Sequence, residues 1–297
     1  MLGKFIGLRR GGFIESTAQL CQFPDESLAA AARSVAGLSS VVRLSTPGSS
    51  GAFFSGFRDG RRRFLKTHRT PAAAENLQKE FVLLEHLYGD ELAPSFHMAE
   101  LDGCKQFFLE MAYVDNGCPD GFAPDSMKRV IADFTNRLSH VDMAKLNYSA
   151  RQLHALVAPA LAELSAAGLI EPDIVGICED CAVRFGDYVD SEPPIICHGD
   201  LGNENIRRLN DREVVIDWED SIVGFRNYDV LYWLTFLAQR SYYSASLLSD
   251  IGVHRQFGVD IMVVVVLLKT YLAFLNGRYN GFRFSVSERI REIVVGL

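Results

Sequence analysis

The sequence predicts an α+β protein, a small antiparallel sheet followed by a larger helical region, and three observations carry that prediction. Five runs with the period of strands lie between residues 40 and 114, and from residue 121 the apolar spacing is mostly that of helices. Where the helical part is interrupted, in residues 195–229, two short apolar runs each lead into an acidic residue. Strands first and helices afterwards segregate the two kinds of element, as α+β proteins do.

The opening, MLGKFIGLRRGG, lacks the apolar core and small-residue cleavage site of a secretory signal. Residues 1–38 read as an N-terminal extension containing one helix, LAAAARSVAGL, capped by Asp25-Glu26-Ser27. The strand runs are SVVRLST, AFFSGF and RRRFLKTH, then SFHMAEL and KQFFLEMAYV about an Asp102-Gly103 turn. An Asp59-Gly60 turn joins the second run to the third. Pro47-Gly48-Ser49-Ser50-Gly51, before the second run, has the small residues that let backbone N–H groups approach phosphates, so Ser49 and Ser50 are candidate phosphate contacts.

The helix AAAENLQKEFVLLEHL sets Leu77, Glu80, Phe81, Leu84 and Leu87 on one face. A lone carboxylate on that stripe is costly to bury unless paired, and a Lys66–Glu80 ion pair accounts for it. Strand alternation puts Phe64 on the same face as Lys66.

Past residue 121, DSMKRVIADFTNRLSHV and SARQLHALVAPALAELSAAGL have N-caps at Asp125 and Ser149, and Pro159 predicts a kink or a break in the second. In DIVGICEDCAVRFGDYV, Ile174, Cys178, Cys181, Phe185 and Tyr188 share a stripe, so the lone Cys178-x-x-Cys181 reads as core thiols and not as a zinc or redox site. Helices VLYWLTFLAQR, VDIMVVVVLLKTYLAFLNG and SVSERIREIVVGL close the chain, with a further segment around residues 244–254. The longest apolar run, residues 261–268, is cut by Lys269, too short to cross a bilayer, and reads as a buried helix.

The chemistry concentrates in IICHGDLGNENIRRLNDREVVIDWEDSIVGFRNYD, residues 195–229. ENIRRL turns at Asn210-Asp211 into REVVID, folding the loop that carries Asp200 and Asn205 back towards Asp217. Two Asp and one Asn in this arrangement suit Mg2+ with one carboxylate left over as a base.

These residues resemble the catalytic core of protein-kinase-like phosphotransferases, and more closely the aminoglycoside phosphotransferase and choline kinase branch. Protein kinases carry H-R-D-x-x-x-x-N and D-F-G, where this chain has HGDLGNEN and DWE. The resemblance implies a bilobal protein-kinase-like fold: a nucleotide-binding lobe over residues 39–113 and a catalytic, acceptor-binding helical lobe over residues 114–297. It implies ATP or GTP as co-substrate, a small hydroxylated acceptor, and Mg2+ on Asn205 and Asp217. Lys66 would meet the α/β-phosphates, paired with Glu80, and Phe64 would stack on the base or shrink its pocket. Glu110, Met111 and Ala112 would offer backbone groups to the base. Asp200 would receive the acceptor's proton, with His198 pinning the loop and Asp229 tying it down. Glu219 and Asp220 stand where an acceptor contact and a surface acid are both open. The segment between Asp217 and Asp229 is too short for a phosphorylated activation loop, which speaks against a protein kinase. A catalytically silent nucleotide-binding scaffold is the other alternative; its mark would be loss of the base, metal ligand or lysine, and all are present.

Composition narrows the partners. In 297 residues, 48% are hydrophobic and 23% charged, with a net charge of −7 and no dominant basic tract, which argues against a nucleic-acid binder. The six cysteines follow no disulfide framework, so a reducing cytoplasm is expected.

Overall fold

The structure, a computed structural model, describes residues 23–44, 51–69, 74–114, 121–146, 148–236, 242–277, 279 and 285–297. They divide into two compact units, residues 23–114 with 206–219, and residues 121–205 with 220–297. This division differs from the expected one in two places. Residues 23–38 belong to the sheet unit, and so does the hairpin at 206–219, although the sequence around it is helical.

The sheet unit opens with α1 (Asp25–Ala36). Its N-cap is Pro24, so Asp25 and Glu26 lie in the first turn, where they favour the helix dipole instead of capping it. Phe23, Leu28, Ala31, Ala32, Ala36 and Leu38 pack on Ala52, Phe54, Leu65 and Phe108 of the sheet, which is why this helix is part of the unit. The sheet comprises β1 (Ser39–Leu44), β2 (Gly51–Arg58), β3 (Arg61–His68), β4 (Ser95–Leu101) and β5 (Cys104–Ala112), in the order β1-β2-β3-β5-β4 with every pair antiparallel. Positive φ at Asp59, Gly60, Asp102 and Gly103 makes both predicted hairpin turns. Register pairs Phe53 with Lys66, Lys66 with Leu109 and Phe64 with Met111, so these share one face while Leu65 faces α1 on the other. The helix α2 (Ala74–Leu92) buries Leu77, Glu80, Leu84 and Leu87 and departs from helical geometry at Gly89, where φ is 38°.

The helical unit starts with α3 (Pro124–Leu138), whose first residue is Pro124 and whose N-cap is Ala123, two residues earlier than an Asp125 cap requires. In α4 (Ala150–Ala166) Ser149 is the N-cap and its N–H donates to Gln152 Oε1 at 2.8 Å. Pro159 does not break α4: the buried stripe Val157, Ala160, Leu161, Leu164 carries the helix past it. There follow α5 (Pro172–Ser191) and β6 (Pro194–Cys197). The chain then enters the sheet unit as β7 (Ile206–Leu209) and β8 (Arg212–Val215), joined by positive φ at Asn210 and Asp211. It returns as β9 (Ile222–Phe225), antiparallel to β6, a short strand that the sequence pattern did not signal. Last come α6 (Tyr228–Phe236), α7 (Leu247–Asp250), α8 (Arg255–Leu275) and α9 (Val286–Gly296).

The 21-residue α8 is by length and composition apolar enough to span a bilayer, but residues 261–268 are buried within the protein, as the buried-helix reading expected. The most apolar window of the helix is 78% buried within the protein, and α4, α5, α6 and α9 pack on it.

Cys178 and Cys181 are buried on α5, and burial pushes both thiols up to about 12; burial likewise holds the Cys197 thiol well above its usual value. N-Ethylmaleimide at pH 8 is therefore expected to modify the half-buried Cys104 before any of these three, read by peptide mass spectrometry. A zinc chelator should leave Tm unchanged, and a marked fall in Tm would put a metal on the pair.

Candidate active site

In the sheet unit, Lys66 is the centre of a cluster of charges. Its side chain is 6% exposed, and Nζ donates to Glu80 Oε2 at 2.7 Å, to Asp217 Oδ1, and pairs with Glu219 Oε1 at 2.6 Å. The ion pair with Glu80 is the one that the helix stripe required. Asp217 enters because it adopts a left-handed backbone, φ 67°, after β8, and its N–H donates to Glu80 Oε1 at 2.9 Å. Tyr88 and Glu91 of α2 hold the hairpin: Tyr88 Oη accepts the Val215 N–H at 2.7 Å, and both oxygens of Glu91 take Arg212.

Burial alone would lower the Lys66 pKa, but Asp217, Glu219 and Glu80 overturn that and hold it well above its usual value. The carboxylates diverge. Burial pushes Glu80 up to about 7 against the pull of Lys66, whereas Lys66 and His68 overcome burial at Glu219 and hold it at about 2. Glu219 is therefore neither a surface acid nor placed in the unit that carries Asp200: it sits on Lys66, with His68 Nε2 at 2.9 Å from its other oxygen. Asp220, the other open acid, is 5% exposed.

This donor set fits a hard divalent cation. Carboxylate oxygens of Glu80, Asp217 and Glu219 come within 4.8 Å of one another, the one such group found among the described residues, and the Asp217 side chain is 46% exposed. Asn205 lies in the helical unit, where Nδ2 donates to the Asp200 carbonyl at 3.0 Å, so the atom it can offer a cation is its amide oxygen.

In the helical unit, the loop after β6 is pinned from below. Asp229, in the first turn of α6 and 3% exposed, accepts the His198 N–H at 2.8 Å and the Gly199 N–H at 3.0 Å. Burial pushes its carboxyl above the usual range against His198 and those two donors. Gly199 has φ 82°, and a Cβ there would stand 2.1 Å from the Asp220 carbonyl oxygen, so only glycine fits between His198 and Asp200. His198 is fully buried and its Nδ1 accepts the Asp200 N–H at 3.4 Å.

Asp200 itself is held by residues that sequence reasoning missed. Its Oδ1 accepts from Tyr232 Oη of α6 and from Lys269 Nζ of α8, the latter at 2.5 Å. Lys269 Nζ also lies 5.1 Å from the centre of the Tyr232 ring. Burial first, and then Asp200, drives the Tyr232 hydroxyl well above its usual pKa, so it stays a donor. In the sequence Lys269 was visible only as the residue ending an apolar run.

The expected base-contacting residues separate by chemistry. The Tyr113 N–H donates to the Arg62 carbonyl, so hydrogen-bonded pairs alternate along β3 and β5, and the backbone groups of Met111 face Phe64. Those of Ala112 face away from β3, beyond the last β4 pair at Ser95 and Glu110. The Glu110 side chain lies on the face opposite Lys66, fully buried against Arg58, Arg63 and His97. Phe64 stacks on Phe53 with centroids 5.9 Å apart. Ser49 and Ser50 lie outside the described residues.

Known proteins are similar in the same way. A thermostable mutant of aminoglycoside phosphotransferase APH(4)-Ia, in ternary complex with AMP-PNP and hygromycin B, superimposes with a TM-score of 0.63 at 16% identity over 91% of this chain and 98% of that one. Spectinomycin phosphotransferase APH(9)-Ia, in complex with ADP and spectinomycin, gives 0.53 at 11% identity over 91% and 98%. A putative fructosamine-3-kinase from Thermobifida fusca gives 0.57 at 19% identity over 92% and 100%. No curated protein matches the sequence. Likeness at such identities establishes the fold; kinship comes from the model of the phosphotransferase enzyme family, which matches residues 41–252, most of the chain. The chain belongs to the phosphotransferase enzyme family and has the α+β, protein-kinase-like fold.

Proposed function

We propose that the protein transfers the γ-phosphoryl group of ATP or GTP to a hydroxyl of a small molecule, of aminoglycoside, amino alcohol or sugar-like chemistry. The observation that carries this reading is the buried Lys66, held on its strand by Glu80 and joined by Asp217. Lys66 binds the α/β-phosphates, and Glu80 keeps its ammonium in place. Ser49 and Ser50 add contacts to the phosphates, Ala112 meets the base through its N–H and C=O, and Phe64 walls the base. Asp217 and Asn205 would hold Mg2+, which when bound neutralises charge on the β- and γ-phosphates. Asp200 aligns the acceptor hydroxyl and takes its proton as the new O–P bond forms and the bond to the nucleoside diphosphate breaks. His198 and Asp229 hold the loop on which this depends. Relatives crystallised with hygromycin B and spectinomycin support a hydroxylated acceptor. The four described cysteines are free thiols, which supports a reducing, cytoplasmic setting.

Thermal shift with MgATP, MgGTP and no nucleotide, followed by release of ADP or GDP over a panel of amines, aminoglycosides and sugars, tests this reading. One nucleotide should raise Tm and one panel member should be turned over; stabilisation by neither would favour a silent scaffold. Asp217→Ala should lose the Mg2+-dependent part of the shift. Tight MgATP binding by that variant would move the metal to other ligands.

A further inference from the structure

We propose that Lys269 and Tyr232 form a two-donor clamp on Oδ1 of Asp200, which makes Lys269 a positioning residue for the transfer. The inference rests on Asp200 being the base. An ammonium and a phenol share one carboxylate oxygen, contributed by two helices that pack together. Two donors on Oδ1 stabilise its lone pairs and fix the plane of the carboxylate, so the base is held in one orientation towards the acceptor.

The placement of Lys269 has no other evident cause. Every residue from 261 to 268 is buried and apolar, and the next one in the same helix is a lysine whose side chain is 21% exposed. Helix stability or solubility would be served as well by a lysine on the exposed side of α8. Here the ammonium lies against Asp200 and over the face of Tyr232, a geometry that orders a long side chain and is worth that ordering only if the carboxylate needs it. During transfer the acceptor oxygen loses its proton to the Asp200 carboxylate, forms its bond to phosphorus, and the nucleoside diphosphate departs with the electrons of the broken bond. The ammonium on Oδ1 keeps its own protons throughout.

The test compares wild type with Lys269→Met, Lys269→Arg, Tyr232→Phe and Asp200→Asn. ADP release from MgATP is measured with water as acceptor, then with the panel compound turned over fastest. Lys269→Met should lower kcat by about ten- to a hundredfold with KM for ATP within about twofold, since a misaligned catalytic group costs rate and not nucleotide binding. Tyr232→Phe, which keeps the charged donor, should lose less than Lys269→Met, which keeps only the neutral one, and Lys269→Arg should recover most of the rate. Tm measured on each variant separates misfolding from misalignment. Lys269→Met with kcat unchanged and KM for the acceptor raised would make Lys269 an acceptor-binding residue and overturn the clamp. So would a loss of rate that Arg fails to restore in a folded protein. Should Asp200→Asn turn over like wild type, the functional reading falls first; an inactive Asp200→Asn beside a fully active Lys269→Met sinks the clamp alone.

Discussion

Asp200→Asn is expected to slow phosphoryl transfer by about a hundred- to ten-thousandfold, the range that a positioned general base contributes. Nucleotide affinity should stay within about tenfold, because Lys66, Glu80 and Asp217 are untouched. Asparagine keeps an oxygen in place of Oδ1 for Tyr232 and Lys269, so the loop retains its anchors and loses the charge. The His198 and Gly199 N–H groups remain on Asp229, and Gly199 still passes beneath the Asp220 carbonyl. A wild-type rate in single-turnover kinetics would remove Asp200 as the base.

Lys66→Met should act on stability as well as on nucleotide binding. It strips the one lysine from Glu80, Asp217 and Glu219, and Glu80 is 1% exposed. Breaking a buried pair by removing one partner costs about 3–5 kcal/mol, because the other charge is left without compensation. Glu80→Gln added to Lys66→Met should restore much of that loss, a non-additivity that urea unfolding can measure. The pH dependence has a definite sign. Burial already pushes Glu80 up to about 7, and without Lys66 it goes higher. A carboxyl raised in the folded state binds a proton on folding, so its penalty is greatest above the folded pKa and fades as pH falls through it. The defect of Lys66→Met is therefore expected to be larger at pH 8 than at pH 6. A defect that is equal at both, and additive with Glu80→Gln, would show that the two side chains are not coupled.

What the sequence disclosed and what it withheld follow from how far each signal reaches. The five strands carry alternation and Asp-Gly turns, which are local, and the hairpin at residues 206–215 carries Asn210-Asp211. The Lys66–Glu80 pair was accessible because a charge on an apolar stripe demands a partner, and the chain offers Lys66 one strand away. Glu219 carried no such demand: its place beside Lys66 and His68 depends on Asp217 turning left-handed, a conformation no residue type there requires. Lys269 and Tyr232 were hidden for another reason. Both α6 and α8 are apolar nearly all round, so neither has a polar face from which to read direction, and contacts to Asp200 from 32 and 69 residues away leave no trace in spacing. Glu110 shows the reverse. Its backbone position was the signal, while its side chain belongs to a buried arginine network on the other face of the sheet.

The excursion of the chain between Asn205 and Asp220 sets a limit on dissection by truncation. A fragment starting at residue 121 would keep the β7–β8 hairpin but lose Tyr88, Glu91 and Glu80, which hold it, and would present Val214, Val215 and Trp218 to water. A fragment ending at residue 114 would leave Lys66 and Glu80 without Asp217 and Glu219. No single cut yields both halves intact. Splitting the protein for complementation, or fusing its sheet unit to another protein, therefore calls for a rearranged gene in which residues 206–219 are joined to residues 23–114 by a linker, with 205 and 220 closed on each other.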